Sequence, residues 1–303
     1  MPRAVYKNVD GYCVPQSFND ECVRSALNYE PQPGDLFIVS YPKCGTTWTQ
    51  HIVYNILNDR PPPNIVADFR RKMPFLELKG AQSVRDMSRP GAIKTHMPFR
   101  STLFSKHARY IYVCRNPYDC CVSFFYHAKN KPDHQFADGT FSEFFEMFVE
   151  GALAYGDYFD HLLPWYERRD DPNVLLLTYE GLKKDTAAWV LKIADFLGEN
   201  HGTRLRADPV ALNEVLARTS LETMRQMFSD GEKTSLKERL SHEERAPQRV
   251  KDAGEVTTLL RKGIVGDWRS HFSAEQVKRL KERIALETRG TNVMSLWDDC
   301  DLP

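Results

Sequence analysis

Four short runs rich in β-branched and aromatic residues punctuate this chain: DLFIVSY (Asp35 to Tyr41), GAIKTH (Gly91 to His96), RYIYVC (Arg109 to Cys114) and VLLLTY (Val174 to Tyr179). Longer stretches of helical period lie between them. Buried apolar runs alternating with helices imply parallel strands joined by crossover helices. The chain is therefore read as α/β, with a central, mostly parallel sheet flanked by helices. A prior of about 150 residues per domain admits one large domain or two small ones. No repeat or linker divides the 303 residues, so residues 1–303 are read as a single domain.

Local signals place the elements. Trp48, Ile52, Val53, Ile56 and Leu57 recur at spacings of three and four, predicting a helix from Thr46 to Leu57. Asn116-Pro117 reads as an N-cap followed by the first helical position, opening a helix that reaches about Asn130. Helical period returns over 140–167, 183–197 and 274–288. Residues 229–257 are the most polar stretch and read either as a solvated surface segment or as a lid.

Composition narrows the function. Lys plus Arg number 41 and Asp plus Glu number 41, so no broad basic face toward nucleic acid or an anionic membrane is expected. Neither a signal peptide nor a run of about 18 apolar residues is present, which predicts a soluble, cytoplasmic protein. The cysteines, at 13, 22, 44, 114, 120, 121 and 300, form no C-x-x-C pair. Neither a disulfide framework nor a metal site is expected from them. Any anion site must be assembled from a few local side chains.

In an open parallel sheet, ligands bind outside the carboxyl ends of the strands. The first strand delivers Pro42-Lys43-Cys44-Gly45-Thr46-Thr47-Trp48, the second Lys94-Thr95-His96, the third Arg115, and the fourth Tyr179-Glu180. A glycine, two hydroxyls and a lysine at a helix start form an anion cradle. Taken singly, Lys43 would be a solvated loop lysine, His96 an ordinary loop histidine and Arg115 a salt-bridge partner; their convergence favours a site. His51 and His127 fall inside helices and read as structural. The loop is not a Walker A sequence, because Lys43 precedes Gly45 and no Gly-Lys-Ser/Thr occurs. A metal-dependent NTPase is disfavoured.

These residues carry a resemblance. YPKCGTTW is similar to the 5′-phosphosulfate loop TYPKSGTTW of the cytosolic sulfotransferases, and RNPYDCCVSFFYH (Arg115 to His127) resembles their 3′-phosphate motif. KTH at Lys94 to His96 resembles their catalytic segment, and RKGIVGDWRSHF (Arg261 to Phe272) their C-terminal RKGxxGDW signature. The motifs stand in the family's order across residues 41–272. The resemblance implies a P-loop-like, nucleotide-kinase-like sulfotransferase fold. It also implies transfer of a sulfuryl group from 3′-phosphoadenylyl sulfate (PAPS) to a small-molecule acceptor, leaving the bisphosphate PAP, with no metal.

By the same resemblance, His96 would be the general base, and Lys43 and Lys94 would stabilise charge at the transferring group. Cys44, Gly45, Thr46 and Thr47 would cradle the 5′-phosphosulfate through backbone N–H groups, with Cys44 in place of the family's usual serine. Arg115 and Ser123 would hold the 3′-phosphate, closed over by Arg261, Lys262 and Gly263. Adenine would stack on Trp48, beside Tyr179 and Thr219, with Leu221 where the family commonly has an aromatic. Phe18, Tyr41, Phe75, Phe99, Phe124, Tyr155 and Phe159 are expected to wall a pocket for a phenol, an aromatic amine or, alternatively, a steroid-like alcohol.

The family's dimer segment aligns with Arg269, Ser273, Ala274 and Lys278, where its glutamate has become Lys278. A homodimer is only weakly expected. Three other readings stay open: a carbohydrate or protein sulfotransferase, which would share the phosphate motifs but not KTH with RKGxxGDW; a non-catalytic PAPS-binding protein; and a P-loop kinase.

Overall fold

The computed structural model describes residues 4–59, 65–99, 104–227 and 260–303. A hairpin of β1 (Tyr6–Val9) and β2 (Tyr12–Pro15) leads the chain. Its two-residue turn, Asp10-Gly11, has φ of 50° and 86°, the left-handed pair that a twisted hairpin turn demands. After α1 (Asp20–Leu27) come β3 (Leu36–Val39), α2 (Thr46–Leu57) and α3 (Ile65–Lys72). The short helices α4 (Leu76–Lys79) and α5 (Ala81–Arg85) precede β4 (Ile93–Thr95) and β5 (Arg109–Cys114). Then follow α6 (Pro117–Asn130), α7 (Phe141–Val149), α8 (Tyr158–Glu167) and β6 (Val174–Thr178). The helices α9 (Tyr179–Lys184), α10 (Thr186–Leu197), α11 (Glu199–Ala207) and α12 (Pro209–Arg218) come next, and a further helix spans Ala274–Glu287.

The central sheet has four strands in the order β4-β3-β5-β6, all paired in parallel. Alternation along the buried strands separates two cores. Phe37, Val39, Tyr110, Tyr112 and Cys114 point to one face, where α6, α7 and α8 bring aromatic rings such as Trp165, stacked 5.4 Å from Tyr112. Leu36, Ile38, Ile111 and Val113 point to the other, an aliphatic face covered by residues of α2, α10 and α12. Among the described residues, no helix is long and apolar enough to cross a membrane.

The strands expected from sequence are present with trimmed ends, and α2 spans the expected Thr46–Leu57. The helical stretch expected over 140–167 is instead two helices, because Gly151 (φ 67°), Tyr155 (φ 72°) and Gly156 (φ 82°) turn the backbone left-handed between them. Likewise the stretch over 183–197 divides at Asp185, whose side chain accepts from Ala188 N–H and starts α10. The polar stretch 229–257, read as a surface segment or a lid, lies outside the described residues.

Two buried carboxylates tie the C-terminal segment to the strand ends. Glu180 accepts from Asn116 N (3.0 Å), Asn116 Nδ2 (2.7 Å) and Trp297 Nε1 (2.8 Å). Asp119 on α6 accepts from Gly266 N (2.7 Å) and Trp268 N (3.0 Å). Removing such an acceptor strands buried donors, so Glu180→Ala is expected to cost about 2–4 kcal/mol of stability. A urea-unfolding midpoint equal to that of the wild type would show that this network contributes nothing.

Candidate active site

The carboxyl end of β3 runs through Ser40-Tyr41-Pro42-Lys43-Cys44-Gly45 into α2. Two left-handed residues shape this loop: Lys43 (φ 70°) and Gly45 (φ 108°). A Cβ at Gly45 would stand 3.0 Å from Tyr179 Cδ2, so only glycine allows Tyr179 to close on the loop. Gly45 also supplies no side chain to cap α2, and the helix's first N–H groups face a cavity of about 390 Å³. Cys44 is turned inward, with its Sγ 3.7 Å from Cys120 Sγ. Cys44, expected in the cradle, is not in the cavity lining, although Lys43 and Gly45 on either side are.

His96 follows β4 at the next strand end. Its Nδ1 lies 2.7 Å from the Ser40 carbonyl, which can only accept, so Nδ1 carries the hydrogen and Nε2 keeps the lone pair. The ring is packed edge-on between Phe75 and Tyr155, each 5.2 Å away. Burial, aided by the nearby Lys94 charge, holds its pKa well below the usual 6.5, and the imidazole is neutral at pH 7. Beneath it, the fully buried Glu77 accepts the His96 backbone N–H at 2.6 Å and the Tyr12 hydroxyl at 3.3 Å. Burial pushes the Glu77 carboxyl up to about 7.

The cations sit close enough to depress one another. Burial and then the charges of Lys94, Arg115 and Lys131 bring Lys43 down to about 7. Burial brings Lys94 down to about 8 against the favourable pull of Glu77, and its Nζ rests 4.1 Å above the Phe75 ring. Arg115 is buried, lies 4.3 Å over the Tyr179 ring, and donates to the Ile264 carbonyl at 3.0 Å. Its Nε, like that of Arg261, is buried with no partner among the described residues.

The C-terminal strap completes the wall. Asp267 pairs with Lys262 at 2.7 Å and with Arg261, while the Arg261 guanidinium lies 4.6 Å over Tyr126. Gly263 (φ 68°) packs against Leu221, where a Cβ would stand only 2.8 Å from Leu221 Cδ2. Across the cavity, Trp48 meets Tyr179 edge-on at 5.7 Å.

Of the residues singled out from sequence, Lys43, Gly45, Thr46, Thr47 and Trp48 line this one cavity, as do Lys94, His96, Arg115 and Ser123. Tyr179, Leu221, Arg261, Lys262 and Gly263 join them from the fourth strand and the C-terminal side. Thr219 does not: it is buried, and its Oγ1 donates back to the Val215 carbonyl at 2.8 Å. Of the expected acceptor wall, Phe18, Phe75, Phe124 and Tyr155 are in the lining.

Tyr41, Phe99 and Phe159 are not. Tyr41 points into the aromatic core, with its hydroxyl on the Gly156 carbonyl at 3.1 Å. Phe99 packs against Trp165 at 5.2 Å, and Phe159 is buried against Tyr158 at 5.1 Å. An aromatic near a motif was a poor guide, since the same face of the sheet needs many rings for its core. His127, read as structural, instead lines the cavity with Lys131 and His134, whereas His51 is buried and stacked on Phe69 at 4.3 Å. Glu77 was passed over, although a lone acid in the apolar run MPFLEL must find donors when buried.

A family model described as a sulfotransferase domain matches residues 33–295. Human sulfotransferase 1C2 is 30% identical over 277 residues, covering 88% of this chain and 87% of its own length. Human sulfotransferase 1E1 is 32% identical over 255 residues, with coverage of 81% and 80%. Among solved structures, mouse sulfotransferase SULT7A1 complexed with PAP aligns at a TM-score of 0.75 and 25% identity, over 98% of this chain and 99% of that one. Retinol dehydratase in complex with androsterone and PAP shares the fold, at a TM-score of 0.70 and 23% identity over 95% and 91% of the chains.

The depressed lysines give the cavity a pH signature. A bound anion raises the pKa of Lys43 from about 7 and of Lys94 from about 8, so binding above pH 7 takes up protons. Sulfate, which does not titrate in this range, is expected to bind more weakly as pH rises from 7, by at most about tenfold per pH unit for each lysine. Calorimetry in buffers of different ionisation enthalpy reads the uptake directly. Binding without proton uptake would mean that the lysines are already fully charged.

Proposed function

The chain belongs to the sulfotransferase family, and from that premise we propose that it moves a sulfuryl group from PAPS to a hydroxyl or amine of a small aromatic acceptor, with His96 as general base. The observation that carries this reading is the fixed tautomer of His96. Its Nδ1–H is engaged by the Ser40 carbonyl, so the basic Nε2 belongs to a ring that lines the same cavity as Lys43, Lys94 and Arg115.

The residues fit the donor on independent grounds. Gly45 leaves the close approach that a Cβ would fill, and the buried Nε atoms of Arg115 and Arg261 lack partners that phosphate oxygens would supply. Trp48 and Leu221, both in the lining, offer apolar surface for a purine, with Tyr179 beside Trp48. Arg115, just before the Asn116 cap of α6, and Ser123, eight residues on within the helix, would hold the 3′-phosphate.

In the transfer, His96 Nε2 takes the acceptor's proton as its oxygen or nitrogen bonds to sulfur. The bond between sulfur and the bridging oxygen breaks, and that oxygen keeps the electron pair as part of PAP. Lys43 and Lys94 neutralise the charge that develops there, which is the service a metal performs in phosphoryl transfer. We therefore infer that no metal is required. Phe18, Phe75, Phe124 and Tyr155 would enclose an aromatic acceptor ring beside His96. The shared sheet, packed on both faces and clasped by the C-terminal segment, supports reading residues 1–303 as one functional unit.

His96→Ala is expected to lower kcat by about 10²–10⁴-fold while PAP binding is retained. Single-turnover transfer from ³⁵S-labelled PAPS to a simple phenol, run with EDTA, measures it. Full activity in that variant would remove His96 from the base role, and abolition of wild-type transfer by EDTA would refute the metal-free reading. Because burial holds His96 well below 6.5, its protonation should not slow turnover until the pH is well below that value.

A further inference from the structure

Helix α6 runs beside the cavity, and Ser123, His127 and Lys131 fall on one line along it at intervals of four residues. At 1.5 Å per residue, the C-terminal end of α6, which Lys131 caps, lies about 12 Å along the helix axis from Ser123. Lys43, Arg115, Arg261 and Lys262 have partners in the donor under the proposed reading, and Lys131 is not one of them. Its carbonyl accepts the His134 N–H at 3.1 Å, but among the described residues its ammonium makes no hydrogen bond or ion pair. It is half-buried at the C-terminal cap of α6, and its charge is felt by Lys43, His127 and His134. The walls on this side are the rings of Phe18, Phe75, Phe124 and Tyr155.

A cation held over an apolar enclosure without a counter-ion is a recognition element for an anion. Resting on the transfer reading above, we propose that the acceptor is an aromatic hydroxyl compound that also bears a carboxylate, and that Lys131 binds this carboxylate as the specificity-determining residue. The neighbouring histidines favour the same class. Burial keeps His127 and His134 neutral; His134 Nδ1 is engaged with the Tyr6 hydroxyl at 3.1 Å, while His127 Nδ1 is buried with no partner among the described residues and could donate to an oxyanion without adding charge. Asp133 also lines the cavity and would instead favour an acceptor with an amine. It is exposed, where solvent and salt screen it, and the half-buried lysine has the stronger field.

Three probes that differ only in this group decide the matter: 3-(4-hydroxyphenyl)propanoate, its methyl ester and tyramine. Two quantities are measured, kcat/KM with PAPS and calorimetric binding to the enzyme·PAP complex. The acid is expected to exceed the ester by about tenfold or more in both. Lys131→Met should erase that ratio by weakening the acid alone, and Lys131→Arg should restore most of it. PAP binding by each variant verifies that the fold is intact. Turnover of all three probes without preference for the acid, preference for tyramine, or a ratio unchanged in Lys131→Met would each overturn the proposal and leave the transfer reading standing. Lys131-dependent binding of the acid with no sulfation of any probe would do the reverse, and binding of none would overturn the carboxylate site.

Discussion

Cations gathered in one cleft repel one another, and this cleft holds together because buried carboxylates grip the backbone around it. Glu77 takes the His96 N–H, Glu180 takes Asn116, Asp119 takes Gly266 and Trp268, and Asp267 takes Arg261 and Lys262. All four acids are buried. A chain with equal numbers of acids and bases thus creates a positive cavity by sorting its charges, with Lys43, Lys94, Arg115, Lys131, Lys183, Arg261 and Lys262 in the lining against Asp133, and these four acids set behind. Glu77, Glu180 and Asp119 accept mainly from N–H groups other than the cavity cations, whereas Asp267 pairs directly with Arg261 and Lys262.

The cavity also lies at the seam between the two cores. Trp48 packs against the aliphatic core on one face of the sheet, while Phe75, Phe18, Phe124 and Tyr155 belong to the aromatic core on the other. The carboxyl edge of the strands is where both faces can be reached at once. Under the proposed reading, a flat nucleobase and an aromatic acceptor would be held by different cores and still meet at the strand ends, where Lys43, His96 and Arg115 follow β3, β4 and β5.

Local sequence made the sheet, α2, α6 and most of the donor-side residues legible, because strands, caps and the Lys43–Trp48 loop are specified by neighbours in the chain. Lys43, Thr46 and Trp48 could be read together for that reason. The acceptor side was harder. Tyr41 and Phe159 are as aromatic as Phe18 and Tyr155, and only packing decides which rings face the core and which face the cavity. Glu77 escaped for a related reason: its partners, Tyr12 and the His96 backbone, are 65 and 19 residues away. His127, read as structural from its place inside a helix, also lines the cavity, a position that only the orientation of α6 reveals.

The clasp of Asp119 on Gly266 and Trp268 joins positions 147 and 149 residues apart, and Glu180 waits for Trp297, near the end of the chain. During synthesis the sheet can assemble long before these partners leave the ribosome. A nascent chain halted before residue 261 would carry the Lys43 loop and His96 but lack the strap that closes the site. Closure of the cavity therefore depends on contacts far apart in the chain, made after the sheet that they cover can form.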